Sequence, residues 1–325
     1  MALRLYLDGD DVIGIASMVS LSGSIEQCCR TLKAEIAASY YDFYLPVTKN
    51  DLGSLVRLYD GDELLFYGSL FTVKMATNSQ TKTLVAFDMG YFLKNNDASY
   101  NFSGATAAEI ARRVCGDHWV PVGSLAAPAR TIKRKFKSQS LETIIDTAYT
   151  LAGESDGKKY MTRFVGAALH VIVKGEPKSA NVIDGTANLQ NLSYTLSSDG
   201  MVNRVKVYDK DGNLKLTRDS TANPAKTYGM RTKILTQREG DDIEKQIKAA
   251  FEDNDITRRI TVNVLASNDM VTGNAVYLIE PASGLKGLFW IDEDAHVWQN
   301  GLHTATLTLN FKNIVREADA GTEED

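Results

Sequence analysis

Residues 273–311 read GNAVYLIEPASGLKGLFWIDEDAHVWQNGLHTATLTLNF, and the reading of this stretch decides the fold. From His303 onward, Ala305, Leu307, Leu309 and Phe311 fall on one side of an extended chain. Thr304, Thr306, Thr308 and Asn310 fall on the other. A period of two with one apolar face is the mark of a half-buried strand. Asn300-Gly301 stands just before it and supplies the two positive-φ residues that a tight type I′ hairpin requires. Ala295 to Gln299 is the strand before the turn, and Val276 to Ile279 and Leu288 to Ile291 provide two more. The expectation is an antiparallel meander with an apolar inner face and no reactive chemistry of its own.

An earlier stretch, residues 55–93, has the same rhythm: LVRLYDGDELLFYGSLFTVKMATNSQTKTLVAFDMGYFL. Val56-Arg57-Leu58-Tyr59 corresponds to Val276-Tyr277-Leu278-Ile279, and Gly68-Ser69-Leu70-Phe71 to Gly287-Leu288-Phe289-Trp290. Each pair encloses a turn rich in Gly, Asp, Pro or Ser, and each stretch ends in a strand of β-branched and aromatic residues. Internal repetition of this kind predicts two related small antiparallel β-barrels in one chain.

The length of 325 residues has room for two or three domains, and an apolar share of 44% is enough for a sizeable core. The net charge of −5 argues against a dedicated nucleic-acid binder. Cys28, Cys29 and Cys115 form no CxxC pair and read as small buried thiols of a reducing compartment. No apolar run approaches the roughly 18 residues of a membrane span, and the N-terminus lacks a signal-peptide segment, so folding in a cytoplasm without a membrane anchor is expected.

In chain order, residues 1–97 read as strands and form the first expected barrel, with Val12 to Ala16 and Arg30 to Ala37 as early elements. Tyr40, Tyr41, Phe43 and Tyr44 put rings on both faces of one extended segment. That segment is either a strand buried on both sides or a subunit contact, where aromatic anchors are favoured. Residues 98–178 read as an inserted α+β domain. Thr106 and Glu109 form a capping box before the stripe Ala107, Ile110, Ala111 and Val114, with Gly116 as its end. A second helix starts near Ser140 and is expected to stop at Gly153. Between the helices, Arg130 to Lys137 carries five basic residues in eight and reads as a strand with a solvated basic face.

Residues 179–325 form the second expected barrel region. It holds a strand at Asn203 to Tyr208, a hairpin turn at Asp209 to Gly212, a long polar connection at 216–232 suited to a docking arm, a helix near 241–252, and an acidic tail at 316–325. Among the four histidines, only His296 and His303 come together, sharing a face diagonally across the Asn300-Gly301 hairpin beside Trp298. They read as packed side chains, and no metal site, cofactor site or catalytic residue is assigned. Neither a GxSxG elbow, an HExxH pair nor a P-loop is present.

Taken together and in order, several segments resemble the tail hub proteins of contractile phages and tail-like particles of the XkdQ/YqbQ type, distant relatives of the trimeric myophage baseplate hub. They are Val56-Arg57-Leu58-Tyr59 with Gly68; Ala86 to Asn95; Thr106 to Ile110; Leu141 to Ile145; Asn203 to Val207; Lys226-Thr227-Tyr228-Gly229; and Val276 to Pro281 through Gly287 to Asp292 and on to His303. The aromatic cluster and the acidic tail depart from the pattern. The resemblance implies a virion structural protein of the tail baseplate, a homotrimer with two tail-tube-like barrels per chain. It would join the hexameric tail tube to the trimeric central spike, contact other baseplate proteins, and line a channel that DNA traverses without specific binding. Two other classes are weighed against it: a receptor- or carbohydrate-binding tail module, and a tail-associated peptidoglycan hydrolase.

Overall fold

Asn300 and Gly301 take φ values of 53° and 75°, as a type I′ turn demands, and they join strands that pair Trp298 with His303 and His296 with Ala305. The computed structural model that contains this hairpin describes residues 3–38, 44–45, 48, 51–76, 79–237 and 242–316. The chain forms β1 (Leu3–Leu7), β2 (Asp10–Asp11), β3 (Ala16–Ser24), β4 (Gln27–Ala37), β5 (Leu55–Asp60), β6 (Glu63–Met75), β7 (Thr81–Asp88) and the short helix α1 (Gly90–Lys94). It continues through β8 (Asp97–Thr106), α2 (Ala107–Asp117), β9 (Val122–Leu125), β10 (Thr131–Ser140), α3 (Leu141–Asp156), β11 (Tyr160–Val165) and β12 (Ala168–Val173). The remainder is β13 (Ile183–Asp184), β14 (Leu189–Ser197), β15 (Arg204–Tyr208), β16 (Leu214–Asp219), α4 (Ala225–Tyr228), β17 (Thr232–Thr236), α5 (Ile243–Glu252), β18 (Thr257–Leu265), β19 (Ala275–Glu280), β20 (Leu285–Gln299) and β21 (Leu302–Asn310).

The chain is mainly β, with an α+β portion, as expected. Closed barrels are not what these strands build. Among the described residues one sheet of 13 strands runs β14-β18-β21-β20-β3-β4-β7-β6-β5-β1-β2, with β19 and β13 branching from β20, and no sheet closes on itself. The reason is the antiparallel pairing of β3 with β20, Val19 opposite Trp298 and Leu21 opposite His296. That pairing joins the strands expected for the first barrel to those expected for the second. The two related hairpins, β5–β6 and β19–β20, lie in this one sheet, but their glycines are not equivalent. Gly68 faces Val56 and has no room for a side chain, since a Cβ there would stand 2.2 Å from the Phe87 carbonyl oxygen. Gly287 faces Leu278 and its surroundings are open.

Two expected strands of the meander merge into β20, which is continuous over 15 residues. A bulge between Ile291 and Glu293 changes its phase: Phe289 and Ile291 are buried before it, and Asp292, Asp294, His296 and Trp298 after it. Early in the chain, a 3-10 turn at Ile13–Ile15 replaces the strand expected from Val12.

The α+β portion has a hydrophobic cluster of its own. Ile110, Val114, Ile132, Phe136, Ile144 and Ile145 are its centre, and Cys28 and Leu93 join it from the flanking elements. Both helix starts are as expected. Thr106 and Glu109 complete a capping box, and the Ser140 side chain accepts from the Thr143 amide. The helix ends lie further on: α2 runs past Gly116 to Asp117, and α3 passes Gly153 and stops at Gly157, which adopts φ 74°. Gly153 is needed for a close approach, because a Cβ there would meet the Lys158 carbonyl oxygen at 2.5 Å. β10 buries Ile132 and Phe136 and turns Lys133, Lys135 and Lys137 to solvent, the solvated basic face expected of it. The three cysteines are free and buried.

By density of contacts the chain divides into two compact units, residues 1–192 with 261–325, and residues 193–260. Within the second, β15 pairs antiparallel with β16 and parallel with β17, and Val205 and Val207 pack against Ile247 and Ala250 of α5. The expected polar connection at 216–232 is therefore structured: it supplies most of β16, then α4. Asp241 and residues 317–325, which carry the expected helix cap and most of the acidic tail, lie outside the described residues.

Candidate functional site

For a chain built on an open sheet, the functional surfaces to inspect are the sheet ends and the exposed aromatic and apolar side chains. One end of the large sheet is β2, only two residues long. The other is β14, nine residues reading LQNLSYTLS, mostly exposed, with Leu196 58% accessible. Natural edge strands are commonly blunted by Lys, Pro or bulges. β14 carries no charge and no proline. The run of nine uncharged residues was visible in the sequence, but only its terminal place in the sheet gives it meaning.

Of the aromatic cluster, Tyr40, Tyr41 and Phe43 lie outside the described residues, and Tyr44 is 98% exposed. The chain from β4 to β5 that carries them crosses from one strand to another three places away in the sheet order.

Beneath the surface, a line of buried charges ties distant segments of the larger unit together. On β20 the Asp294 carboxylate receives the Arg30 guanidinium of β4, the Thr272 amide at 2.7 Å and the Thr272 hydroxyl at 2.6 Å. Asp292, beyond the bulge, pairs with Lys174 and accepts from the Asn310 amide group at 2.8 Å. The Lys174 side chain is fully buried, and its ammonium also reaches the Ile314 carbonyl. Burial pushes the Lys174 pKa down and the Asp292 pKa up, and the partner of each opposes the shift.

Arg316 closes the line. Its guanidinium donates to the Glu26 carbonyl oxygen at 2.8 Å, pairs with Glu142 at 2.9 Å and reaches Asp146, the two acids lying on α3. Burial raises the Asp146 pKa to about 6 against the pull of Arg316, while the two carboxylates hold Arg316 above its ordinary value. Glu142 further accepts from the Cys28 amide at 2.9 Å. Each basic residue is far in sequence from the acids it pairs with, and no local pattern marks the pairs.

His296 and His303 come together as expected, with His296 Nδ1 2.8 Å from His303 Nε2, and His303 stacks on Trp298 at 4.4 Å between ring centres. The Met270 carbonyl oxygen, 3.0 Å from His296 Nε2, fixes the tautomers. A carbonyl only accepts, so His296 carries its proton on Nε2, and its bare Nδ1 accepts from His303 Nε2–H. Both rings are neutral. Burial lowers both pKa values, that of His303 to about 4. Among the described residues, no group of three or more His, Cys, Asp or Glu side chains is placed to hold a metal ion. Burial raises the pKa of all three thiols, so they stay protonated near neutrality. No helix among the described residues is long and apolar enough to cross a membrane.

With this geometry in place, comparison with known proteins gives consistent results. A family model described as YQBQ-like matches residues 19–310. The phage-like element PBSX protein XkdQ of Bacillus subtilis is 25% identical over 314 residues, 93% of this chain and 94% of that protein. A 43 kDa prophage MuSo2 tail protein of Shewanella oneidensis superposes with a TM-score of 0.71 at 13% identity, covering 94% of this chain and 97% of the other. A component of the Escherichia coli type VI secretion system, described as structurally similar to the T4 tail proteins gp27 and gp5, superposes with a TM-score of 0.58 at 8% identity, covering 99% of this chain and 79% of the other.

Proposed function

The chain belongs to the YQBQ-like family, and from that premise we propose that it is a structural baseplate hub of a contractile phage tail or tail-like particle. In this reading three copies surround the tail axis, join the hexameric tube above to the trimeric spike below, and line the channel through which DNA passes unbound. The observation that carries the proposal is end-to-end correspondence with XkdQ, a protein of a phage-like element, over 93% of this chain and 94% of that one. A fold shared with a tail protein and with a secretion component likened to gp27 and gp5 supports it.

The physical argument for a ring comes from the sheet. A 13-stranded sheet that ends in an uncharged nine-residue edge leaves a row of backbone donors and acceptors for another chain. Closed point-group symmetry satisfies every such edge at once, which an isolated copy cannot do. We take residues 1–97 and 179–325 as the two tube-like modules, completed by neighbours rather than closed within one chain, and 98–178 as a peripheral module. Tyr40, Tyr41, Phe43 and Tyr44 are proposed as anchors of a subunit contact. The protein acts by assembly and catalyses nothing, which sets it apart from a tail-associated hydrolase. It is assembled in the host cytoplasm and found in the tail.

Mixing the purified chain with its tube and spike proteins and imaging the product by negative stain tests this reading. Three-fold rings that bridge tube and spike are expected, and Leu196→Lys on the free edge should abolish them while leaving the monomer folded. Glycan binding without rings would favour the receptor module, and lysis of peptidoglycan the hydrolase.

A further inference from the structure

A cavity of about 240 Å³ opens within the larger unit, where β4, β6, β11, β20 and the 268–274 segment converge. Its size exceeds the share of one water, about 30 Å³, several times over. Four of its lining residues carry a buried polar atom with no hydrogen-bond partner in the protein: Arg30 Nε, Arg163 Nε, Trp298 Nε1 and Asn268 Oδ1. Asn268 is fixed in this orientation because its amide nitrogen donates to Asp60 at 3.2 Å and Glu63 at 2.9 Å. The unanswered set is therefore three donors and one acceptor. All four atoms are almost wholly closed to solvent, so the charge of the lining decides what the cavity can hold.

Charge separates an anion from a neutral occupant. The Arg30 guanidinium is neutralised by Asp294. Arg163 is not: its guanidinium donates at 2.8 Å to the neutral Asn274 side chain, and among the described residues no carboxylate lies within ion-pair distance of it. Burial and the neighbouring Arg30 charge both press on it, lowering its pKa. Two carboxylates also line the cavity, and both are engaged. Glu63 is exposed and accepts from Asn268, while Asp269 accepts from the Ser267 hydroxyl and from the Ala180 amide at 2.7 Å. His296 is neutral, with both ring nitrogens used.

We propose that this cavity binds a small oxyanion, of the carboxylate or phosphate class, with the Arg163 guanidinium as its charge partner. The proposal stands whether or not the hub reading holds.

The test uses the full chain. Its urea midpoint is followed by tryptophan fluorescence while phosphate, sulfate or acetate replaces chloride at constant ionic strength. A saturable rise with at least one oxyanion is expected, since a ligand that binds only the folded state stabilises it by mass action. A response to phosphate and sulfate alone assigns a tetrahedral ligand, and a response to acetate alone assigns a carboxylate. Arg163→Gln should lose the response. Arg163→Met removes the same charge and keeps an unbranched apolar stem; it should lose the response likewise, and it serves if Arg163→Gln does not fold. No oxyanion acting beyond chloride would leave only water in the cavity and overturn the proposal. An undiminished response in both variants would place the anion elsewhere and overturn it equally.

Discussion

Replacing Lys174 by Met removes one partner of an ion pair whose side chains are 0% and 9% exposed. Among the described residues Asp292 would then keep only the Asn310 amide, at 2.8 Å, as a side-chain donor. Breaking a buried pair from one side costs about 3–5 kcal/mol, because the surviving charge stays desolvated. The remaining Asn310 bond places Lys174→Met toward the lower end, about 3 kcal/mol. Asp292→Leu strands the ammonium with the Ile314 carbonyl and should cost more. The double variant removes both charges and leaves two apolar side chains of similar volume, a change that is often neutral or stabilising. It should fall within about 1 kcal/mol of the parent, giving a coupling energy of about 5 kcal/mol or more, above the usual range of about 0.5–3 kcal/mol. The assay is equilibrium urea unfolding at pH 7 by fluorescence, since Trp119, Trp290 and Trp298 all lie in the larger unit. Single variants within about 0.5 kcal/mol of the parent, the range of ordinary surface changes, would refute the buried pair. So would a double variant whose loss equals the sum of the singles.

Acid stability carries a second prediction. His303 titrates near 6.5 when unfolded and near 4 when folded, so the unfolded chain binds the extra proton between these values and stability falls as pH drops through this window. The effect is at most about 3 kcal/mol. Asp88 and Asp146, raised to about 6, act in the opposite sense, but they are common to the parent and to His303→Phe. The difference between the two urea midpoint curves isolates the histidine, and parallel curves from pH 7 to pH 4 would contradict its burial in the neutral form. Gly68→Ala should cost upwards of about 3 kcal/mol, since the new Cβ meets backbone at 2.2 Å and the strand must move; a thermal shift no larger than that of Gly14→Ala, where a Cβ would meet nothing within 4 Å, would count against the close approach. Changing any two of Tyr40, Tyr41, Phe43 and Tyr44 to Ser should leave the monomer folded and weaken subunit association by about 2 kcal/mol or more in sedimentation experiments. Unfolding of the monomer would assign these rings to the core instead.

What was legible in the sequence was local. The Asn300-Gly301 turn, the alternation after His303, the Thr106 and Ser140 helix starts and the facing of His296 and His303 each follow from contacts within a few residues. The long-range features were not. The β3–β20 pairing joins residues more than 260 apart in number, and nothing in either strand names its partner. Asp292-Glu293-Asp294 falls between the strands expected at 288–291 and 295–299. Only the bulge and the arrival of Lys174 and Arg30, the latter |i−j| = 264 from Asp294, turn two of these acids inward. Arg316 reads as the start of a polar tail, but its partners sit on α3 and in the turn just before β4. Gly153 is the expected helix stop, but the chain leaves the helix at Gly157, where the left-handed φ lies, and the Lys158 carbonyl folds back onto Gly153.

The central claim, a three-fold hub on the tail axis, is tested most directly by a cryo-electron microscopy map of the assembled tail with this chain located in it. The account predicts three copies encircling the channel between the last tube ring and the spike. Six copies, or a position away from the central axis, would contradict it.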